Sequence, residues 1–186
     1  MPARTRRQRP PLDEQSLEEL ALRYVGRFAT TRAKLAQYLG RKLRERGWAG
    51  TGDPPVDALV AKCAANGFVD DSAFAAAKAR SLSGRGYGAG RIRQSLRAAG
   101  VDDADAQDAR AIASGSAVDA ALRFARRKRI GPFAPEAAER QEREKAIAAM
   151  VRAGHPYGIS RTIAELAPGA EIEPGFLSEA TEEHPI

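Results

Sequence analysis

The helical pattern of this chain is interrupted and restarted by the stretch Asn66-Gly67-Phe68-Val69-Asp70-Asp71-Ser72-Ala73-Phe74-Ala75. Gly67 suits the left-handed position that follows the last turn of a helix, because glycine has no Cβ to clash there. Asp70 and Asp71 belong to the residue types that accept hydrogen bonds from the free N–H groups of a helix N-terminus. We therefore assign both aspartates as structural caps, and the stretch predicts a tight joint between two helices.

Similar helical units lie on both sides of this joint. Gly47, Gly100 and Gly154 each end a helical pattern, and they are 53 and 54 residues apart. A large apolar residue precedes each of them by four positions: Leu43, Leu96 and Met150. No alternating run rich in β-branched residues is present that would predict a sheet. The recurring order of caps, apolar stripes and stops predicts an all-α chain of tandem three-helix repeats forming an elongated, curved array.

This repeat divides the chain into five segments. We predict a disordered basic arm at 1–15, three-helix repeats at 16–68, 69–114 and 115–166, and a disordered acidic tail at 167–186. The apolar face of the first helix includes Tyr24 and Phe28. Helix starts are expected at a capping box of Ser16 with Glu19, at Thr30 or Thr31, at Asp53, and at a capping box of Ser116 with Asp119. We also hypothesise that the acidic tail folds back and competes with a partner for the basic surface.

Basic and acidic residues are strongly segregated along the chain, which has 30 Lys plus Arg, 24 Asp plus Glu and a net charge of +6. The segment 72–101 contains no acidic residue, and the segment 21–52 contains only Glu45. Beyond Arg161 the sign reverses, and every charged residue is acidic. Such a distribution indicates a polyanion or an acidic protein groove as partner, although charged residues can also simply solvate helix faces.

The residues that usually carry catalysis or bind metals are scarce. The single cysteine, Cys63, lies in an apolar helical pattern, and the two histidines, His155 and His184, lie in a turn and in the acidic tail. We therefore predict no catalytic residues, no metal site and no cofactor, and we predict that the chain is not an enzyme. No apolar run approaches the roughly 18 residues of a membrane span, and a lone cysteine suits a reducing cytoplasm.

A glycine-rich string, Gly84-Arg85-Gly86-Tyr87-Gly88-Ala89, matches the G-x-G-x-x-A pattern of dinucleotide-binding turns. That pattern binds a phosphate only where a strand precedes it and a helix follows it, whereas here a helix precedes it. Two interpretations stay open. The string is either a flexible turn between helices, or a set of exposed glycines that approach a phosphate backbone closely beside Arg85.

Three parts of the chain resemble the RecX family, whose members are bacterial regulators of the RecA recombinase. The central part is Phe68-Val69-Asp70-Asp71-x-x-Phe74-Ala75, followed by Gly86 and by Ile92-x-x-x-Leu96-x-x-x-Gly100-Val101. Upstream, Ala21-Leu22-Arg23-Tyr24 is similar to the first unit of that family. Downstream, Met150-Val151-Arg152-Ala153-Gly154-His155 is similar to its third unit. The resemblance covers roughly residues 17–166.

The resemblance implies tandem three-helix units and a non-enzymatic, cytoplasmic role in recombination and DNA repair. Members of the family bind in the groove of the RecA filament on single-stranded DNA and inhibit its ATP hydrolysis and strand exchange. We expect a monomer whose partners are the RecA filament and single-stranded DNA, with duplex DNA left open and no membrane. The expected contact face meets acidic recombinase surface, DNA phosphates or both, and consists of Arg41, Arg44, Arg91, Arg93, Arg97, Arg126 and Arg127.

The alternative is an independent DNA-binding protein. Three-helix units with a basic second or third helix also resemble helix-turn-helix modules, which read base edges in the major groove of duplex DNA. Such a protein binds selected duplex sequences alone, whereas a recombinase modulator requires the filament. Dependence on the partner therefore distinguishes the two functions.

Overall fold

The computed structural model describes residues 9–172 and Leu177. Within that part the chain is helical and contains no strand, only an isolated bridge between Leu12 and Trp48. The helices are α1 (Glu14–Val25), α2 (Arg32–Arg46), α3 (Val56–Ala65), α4 (Asp71–Gly84), α5 (Ala89–Ala98), α6 (Gln107–Gly115), α7 (Ala117–Lys128), α8 (Arg140–Arg152) and α9 (Tyr157–Glu165), with a 3₁₀ turn at Gly131–Phe133. None of them is long and apolar enough to cross a bilayer. The predicted all-α fold class is confirmed.

The helices follow one another in three groups of three, in the order that the stop glycines predict. Gly47 follows α2, Gly100 follows α5 and Gly154 follows α8, with backbone φ angles of 84°, 70° and 93°. Glycine adopts this left-handed region without the steric cost that a Cβ imposes, so each helix ends where the repeat requires. The tandem three-helix repeat is thereby confirmed.

The described residues form two compact units: 9–74 with 99–101, and 75–98 with 102–172 and Leu177. The first unit packs α1, α2 and α3 around one apolar core. An apolar stripe of α2 faces this core, with Leu35 and Leu39 fully buried and Leu43 packed at its edge. Burial of one apolar stripe per helix is what fixes such an amphipathic helix in place.

Leu12 extends the core of the first unit beyond its helices. This residue belongs to the predicted basic arm, yet its side chain is 0% exposed. Its N–H donates to the Gly47 carbonyl at 3.0 Å, and its carbonyl accepts from the Ala49 N–H at 2.8 Å. The first unit therefore begins before residue 16. The sequence does not indicate this, because a single leucine has no periodicity from which a buried position could be predicted. Residues 1–8 of the predicted arm lie outside the described residues.

The second unit buries the apolar faces of α7, α8 and α9 against one another. Its core includes Phe124, Met150, Ile159, Ile163 and Leu177. The beginning of the predicted acidic tail also packs here, since the Gly169 N–H donates to the Pro132 carbonyl at 2.9 Å and Ile172 packs against the core. Residues 173–176 and 178–186 of the tail lie outside the described residues, so competition by the tail stays a prediction.

The predicted helix starts agree with the structure at α2 and differ at α1 and α3. Asp13 caps α1: its carboxylate accepts from the Ser16 N–H, and the Ser16 hydroxyl accepts from the Asp13 N–H, both at 2.9 Å. The capping box is real, but Ser16 is its third helical residue and not its cap. Thr31 caps α2, as predicted. Asp53 does not cap α3, because Pro55 directly precedes that helix. Ser116 directly precedes α7, as predicted, but its hydroxyl donates to the Ile112 carbonyl at 2.7 Å and does not cap α7.

Candidate partner-binding surfaces

The two predicted caps of the joint have different partners. The Asp70 carboxylate accepts from the Ala73 N–H at 2.8 Å, in the first turn of α4. Asp71 turns to α2 instead: its Oδ1 accepts from the Arg32 N–H at 2.9 Å, and its Oδ2 lies 3.4 Å from the Arg32 Nε. Asp71 therefore caps a helix of the preceding repeat. This contact fixes the N-terminus of α2, the helix that carries Arg41 and Arg44.

The two predicted contact residues on α2 differ in their surroundings. Arg41 and Arg44 are both exposed because Leu35 and Leu39 occupy the buried side of the helix. The Arg41 Nε lies 3.7 Å from a carboxylate oxygen of Glu45, so the charge of Arg41 is partly neutralised within its own helix. Arg44 has no ion-pair partner among the carboxylates of the described residues. Of the two, Arg44 is the better candidate for an external anion.

Helix α5 presents the predicted Arg91, Arg93 and Arg97 to solvent because Ile92 and Leu96 face the core. Arg91 donates to the Gln94 side chain at 2.8 Å, within the helix. Arg93 and Arg97 are four residues apart and therefore lie on one side of the helix. Within the described part of the chain, neither has an ion pair with a carboxylate. These two residues form an unneutralised cationic strip, which we call the α5 strip.

Arg126 and Arg127 lie at the exposed C-terminal end of α7, where they also complement the helix dipole. The Arg126 guanidinium lies 4.9 Å from the centre of the Phe133 ring. Arg127 donates to the Arg85 carbonyl and lies 5.9 Å from the centre of the Tyr87 ring. Arg127 thus holds the glycine-rich turn before α5, in addition to presenting its charge.

The glycine-rich turn is packed at Gly86 and Gly88, whereas Gly84 and Arg85 are exposed. A Cβ on Gly88 would lie 2.3 Å from the Gly154 carbonyl oxygen, and one on Gly86 would lie 2.9 Å from the Phe124 nitrogen. Both glycines are buried in the second unit. They allow its backbone segments to touch, so the interpretation that exposed glycines approach a phosphate is wrong at these two positions.

His155 has a structural role in the same place. Its imidazole is buried, its Nε2 lies 3.1 Å from the Gly86 carbonyl oxygen, and its ring packs edge-on against Phe124 with centroids 5.6 Å apart. Burial lowers the pKa of His155 below the ordinary histidine value. The ring is therefore neutral near pH 7 and donates its Nε2–H to the carbonyl.

Few groups in the described part of the chain are suited to catalysis. Cys63 is buried, and burial raises the pKa of its thiol, which disfavours the reactive thiolate. Residues 9–172 and Leu177 contain no group of three His, Cys, Asp or Glu side chains that could hold a metal ion. The candidate functional features that remain are cationic surfaces.

Sequence reasoning missed an aromatic feature of the first unit. Tyr24 and Phe28 are expected on a buried helix face, but α1 ends at Val25 and Phe28 is 53% exposed. The Tyr24 ring stacks on the Tyr38 ring with centroids 4.2 Å apart, and the Phe28 ring lies 5.4 Å from Tyr24. Arg27, placed beside Phe28 in the sequence, is the signal that could have indicated an exposed aromatic among cations.

Known proteins share both the sequence and the fold of this chain. A family model described as RecX, second three-helix domain, matches residues 70–109. The regulatory protein RecX of Myxococcus xanthus is 37% identical over 160 residues, which is 82% of this chain and 86% of that protein. The chain belongs to the RecX family. A RecX regulatory protein of Halorhodospira halophila is 34% identical over 130 residues, covering 69% of this chain and 73% of that protein.

Two crystal structures of RecX proteins share this fold. One, of a regulatory protein RecX, has a TM-score of 0.59 and 22% identity, and the alignment covers 82% of this chain and 71% of that one. The other, RecX from Lactobacillus salivarius, has a TM-score of 0.58 and 21% identity, with 80% and 92% covered. The tandem three-helix arrangement is therefore the RecX fold, with the α5 strip inside the segment that the family model matches.

Proposed function

We propose that this protein is a negative regulator of the RecA recombinase. It binds the RecA filament assembled on single-stranded DNA and inhibits ATP hydrolysis and strand exchange, in the cytoplasm and without catalysing a reaction itself. The main support for the proposal is the overlap of two segments of the chain. The segment matched by the RecX family model, residues 70–109, contains the acid-free segment 72–101 and the α5 strip of Arg93 and Arg97.

The chemistry of the α5 strip fits the proposed partner. A guanidinium is a planar fork of N–H donors that matches a carboxylate or a phosphate with two parallel hydrogen bonds. Arg93 and Arg97 are spaced by about one helical turn, so they can contact two successive anionic groups along an extended partner. Arg44 on α2 and Arg126 on α7 offer the same chemistry within their own units. In this proposal, the protein inhibits the RecA filament by staying bound to it.

The salt dependence of binding separates the two kinds of anion. If single-stranded DNA phosphates dominate, the logarithm of the affinity falls with the logarithm of salt concentration with a slope of about −0.7 per phosphate neutralised. Contacts with a few protein carboxylates give a shallower dependence, since no condensed counterions are released.

The proposal is tested by reversing the charge of the α5 strip. We expect Arg93→Glu with Arg97→Glu to weaken inhibition of a RecA ATPase while the far-ultraviolet circular dichroism stays unchanged, because both side chains are exposed. The matched control is Arg140→Glu with Arg161→Glu, which reverses two exposed arginines that pair with acids of their own helices at 3.0 and 2.8 Å. If the α5 variant inhibits as well as the unmodified protein does, the α5 strip is not a contact with the filament.

The same proteins test the helix-turn-helix alternative. Binding of the unmodified protein to selected duplex sequences, in the absence of RecA, would favour an independent DNA-binding protein. We expect no such selectivity, because the proposed function requires the filament.

A further inference from the structure

Three aromatic rings and three cations lie together on α1 and α2 and the turn between them. The rings form a series from Tyr38 through Tyr24 to Phe28, with centroids 4.2 and 5.4 Å apart. The Arg27 guanidinium lies 5.8 Å from the centre of Phe28, and two cations lie over Tyr38: Arg41 at 5.6 Å and Lys42 at 5.9 Å. We call these six residues the aromatic–cation cluster.

Packing in the core explains two of the three rings of this cluster but does not explain Phe28. Tyr24 and Tyr38 pack against the core of the first unit, so their burial accounts for their presence. Phe28 continues the series past the core and is 53% exposed. Its N–H donates to the Tyr24 carbonyl at 3.1 Å, which fixes the backbone that carries the ring. The Phe28 side chain is thus held in place while about half of its surface stays accessible to solvent.

The charge around the rings is positive. Glu45, the only acid of segment 21–52, lies 2.6 Å from Lys42 and 3.7 Å from Arg41, so one carboxylate faces two cations. Within the described residues, Arg27 forms no ion pair with a carboxylate. The cluster therefore retains positive charge beside an open ring.

Rings and cations together favour one class of ligand. Single-stranded nucleic acid offers unpaired bases that stack on aromatic side chains and phosphates that pair with Arg and Lys. A duplex keeps its bases inside the helical stack, where Phe28 cannot reach their faces, and an acidic protein surface would use only the cations. Base stacking on protein aromatics contributes substantially for each base and does not depend on sequence.

We propose that the aromatic–cation cluster is a base-stacking site for single-stranded nucleic acid. A base stacks on the open face of Phe28, and Arg27 and Arg41 contact the flanking phosphates. The inference deepens the proposed function and rests on it for the source of the strand, which would be the DNA of the filament. Its test contains no recombinase, so its failure is distinguishable from failure of the proposed function.

The experiment compares ligands with and without bases. Fluorescence anisotropy of the full chain is measured with a labelled thymidine oligonucleotide and with an abasic oligonucleotide of the same length. We expect tighter binding of the thymidine ligand, and we expect Phe28→Ala to weaken that binding by about tenfold while abasic binding stays within about twofold. Phe28→Leu, which keeps an apolar side chain without a ring, should weaken thymidine binding in the same selective way.

Phe68→Ala is the matched control, because Phe68 is a 55% exposed phenylalanine of the same unit and no cation of the described residues lies over its ring. Its affinity for both ligands should equal that of the unmodified protein. Equal affinity of the unmodified protein for the two ligands would overturn the proposal. So would an equal loss on both ligands in the Phe28→Leu variant, which would indicate phosphate contacts or altered structure in place of stacking.

Discussion

Asp71 joins two repeats through an interaction whose strength can be tested directly. Its side chain is only 3% exposed, it accepts from the Arg32 N–H at 2.9 Å, and it lies 3.4 Å from the Arg32 Nε. Asp71→Ala removes both interactions. We expect this substitution to destabilise the first unit more than the loss of an ordinary, exposed helix cap does.

The expected magnitude follows from the two contacts. A hydrogen bond to a charged acceptor contributes about 1.5–3 kcal/mol, and an ion pair with one half-exposed partner adds about 0.5 kcal/mol. Water can rehydrate the freed amide at the end of α2, so we take the lower part of this range, about 2 kcal/mol. With a urea dependence of about 2 kcal/mol per molar, the unfolding midpoint falls by about 1 M.

The assay is urea unfolding followed by the fluorescence of Trp48. The chain has one tryptophan, and it lies in the first unit beside Leu12, so its signal reports the unit that contains Asp71. Asp71→Asn keeps an oxygen acceptor without the charge and should lose about half as much stability. The control is Asp70→Ala, which removes an exposed cap bond of 2.8 Å and should cost about 1 kcal/mol.

The comparison with Asp70 decides the outcome. If Asp71→Ala lowers the midpoint no more than Asp70→Ala does, Asp71 is an ordinary cap and the inter-repeat interaction contributes nothing measurable. The apolar contacts around the joint would then be what stabilises it.

Two predictions concern the second unit. The pKa of His155 is lowered in the folded state, so as the pH falls the unfolded chain binds a proton at His155 before the folded chain does. The free energy of unfolding should therefore keep its full value above about pH 6.5 and decrease as the pH falls below it. His155→Gln, which keeps a donor for the Gly86 carbonyl, should flatten this decline in thermal unfolding between about pH 8 and pH 5.5, and an unchanged slope would contradict the assignment. Gly88→Ala places a Cβ 2.3 Å from the Gly154 carbonyl oxygen and should cost about 3 kcal/mol or more, whereas Gly84→Ala meets nothing within 4 Å and should be neutral or stabilising by up to about 1 kcal/mol; equal stability of the two variants would refute the packing argument.

The repeat could be predicted because its signals are local. Gly47, Gly100 and Gly154 end helices through their own backbone conformation, and the apolar stripes ending in Leu43 and Leu96 depend only on the helical period. Neither signal requires knowledge of a distant residue. Three-helix repeats and their stops were therefore accessible from the sequence.

The remaining features depend on contacts that the sequence does not report. Asp71 looks like a cap for its own helix, and its partner Arg32 is 39 residues earlier. Phe28 has the right period for a buried face, but α1 ends before it. Gly88 resembles a phosphate-binding glycine until Gly154 is seen against it. In each case the local pattern is compatible with two environments, and only tertiary packing selects one.

The proposed regulation of a recombinase can be measured through the single-strand-dependent ATPase rate of a matched RecA. The protein is titrated into the reaction at fixed, moderate salt, beside a separate titration of its binding to the free DNA. We expect inhibition at concentrations well below those that coat the free DNA. No inhibition, or inhibition only when the DNA itself is saturated, would contradict it.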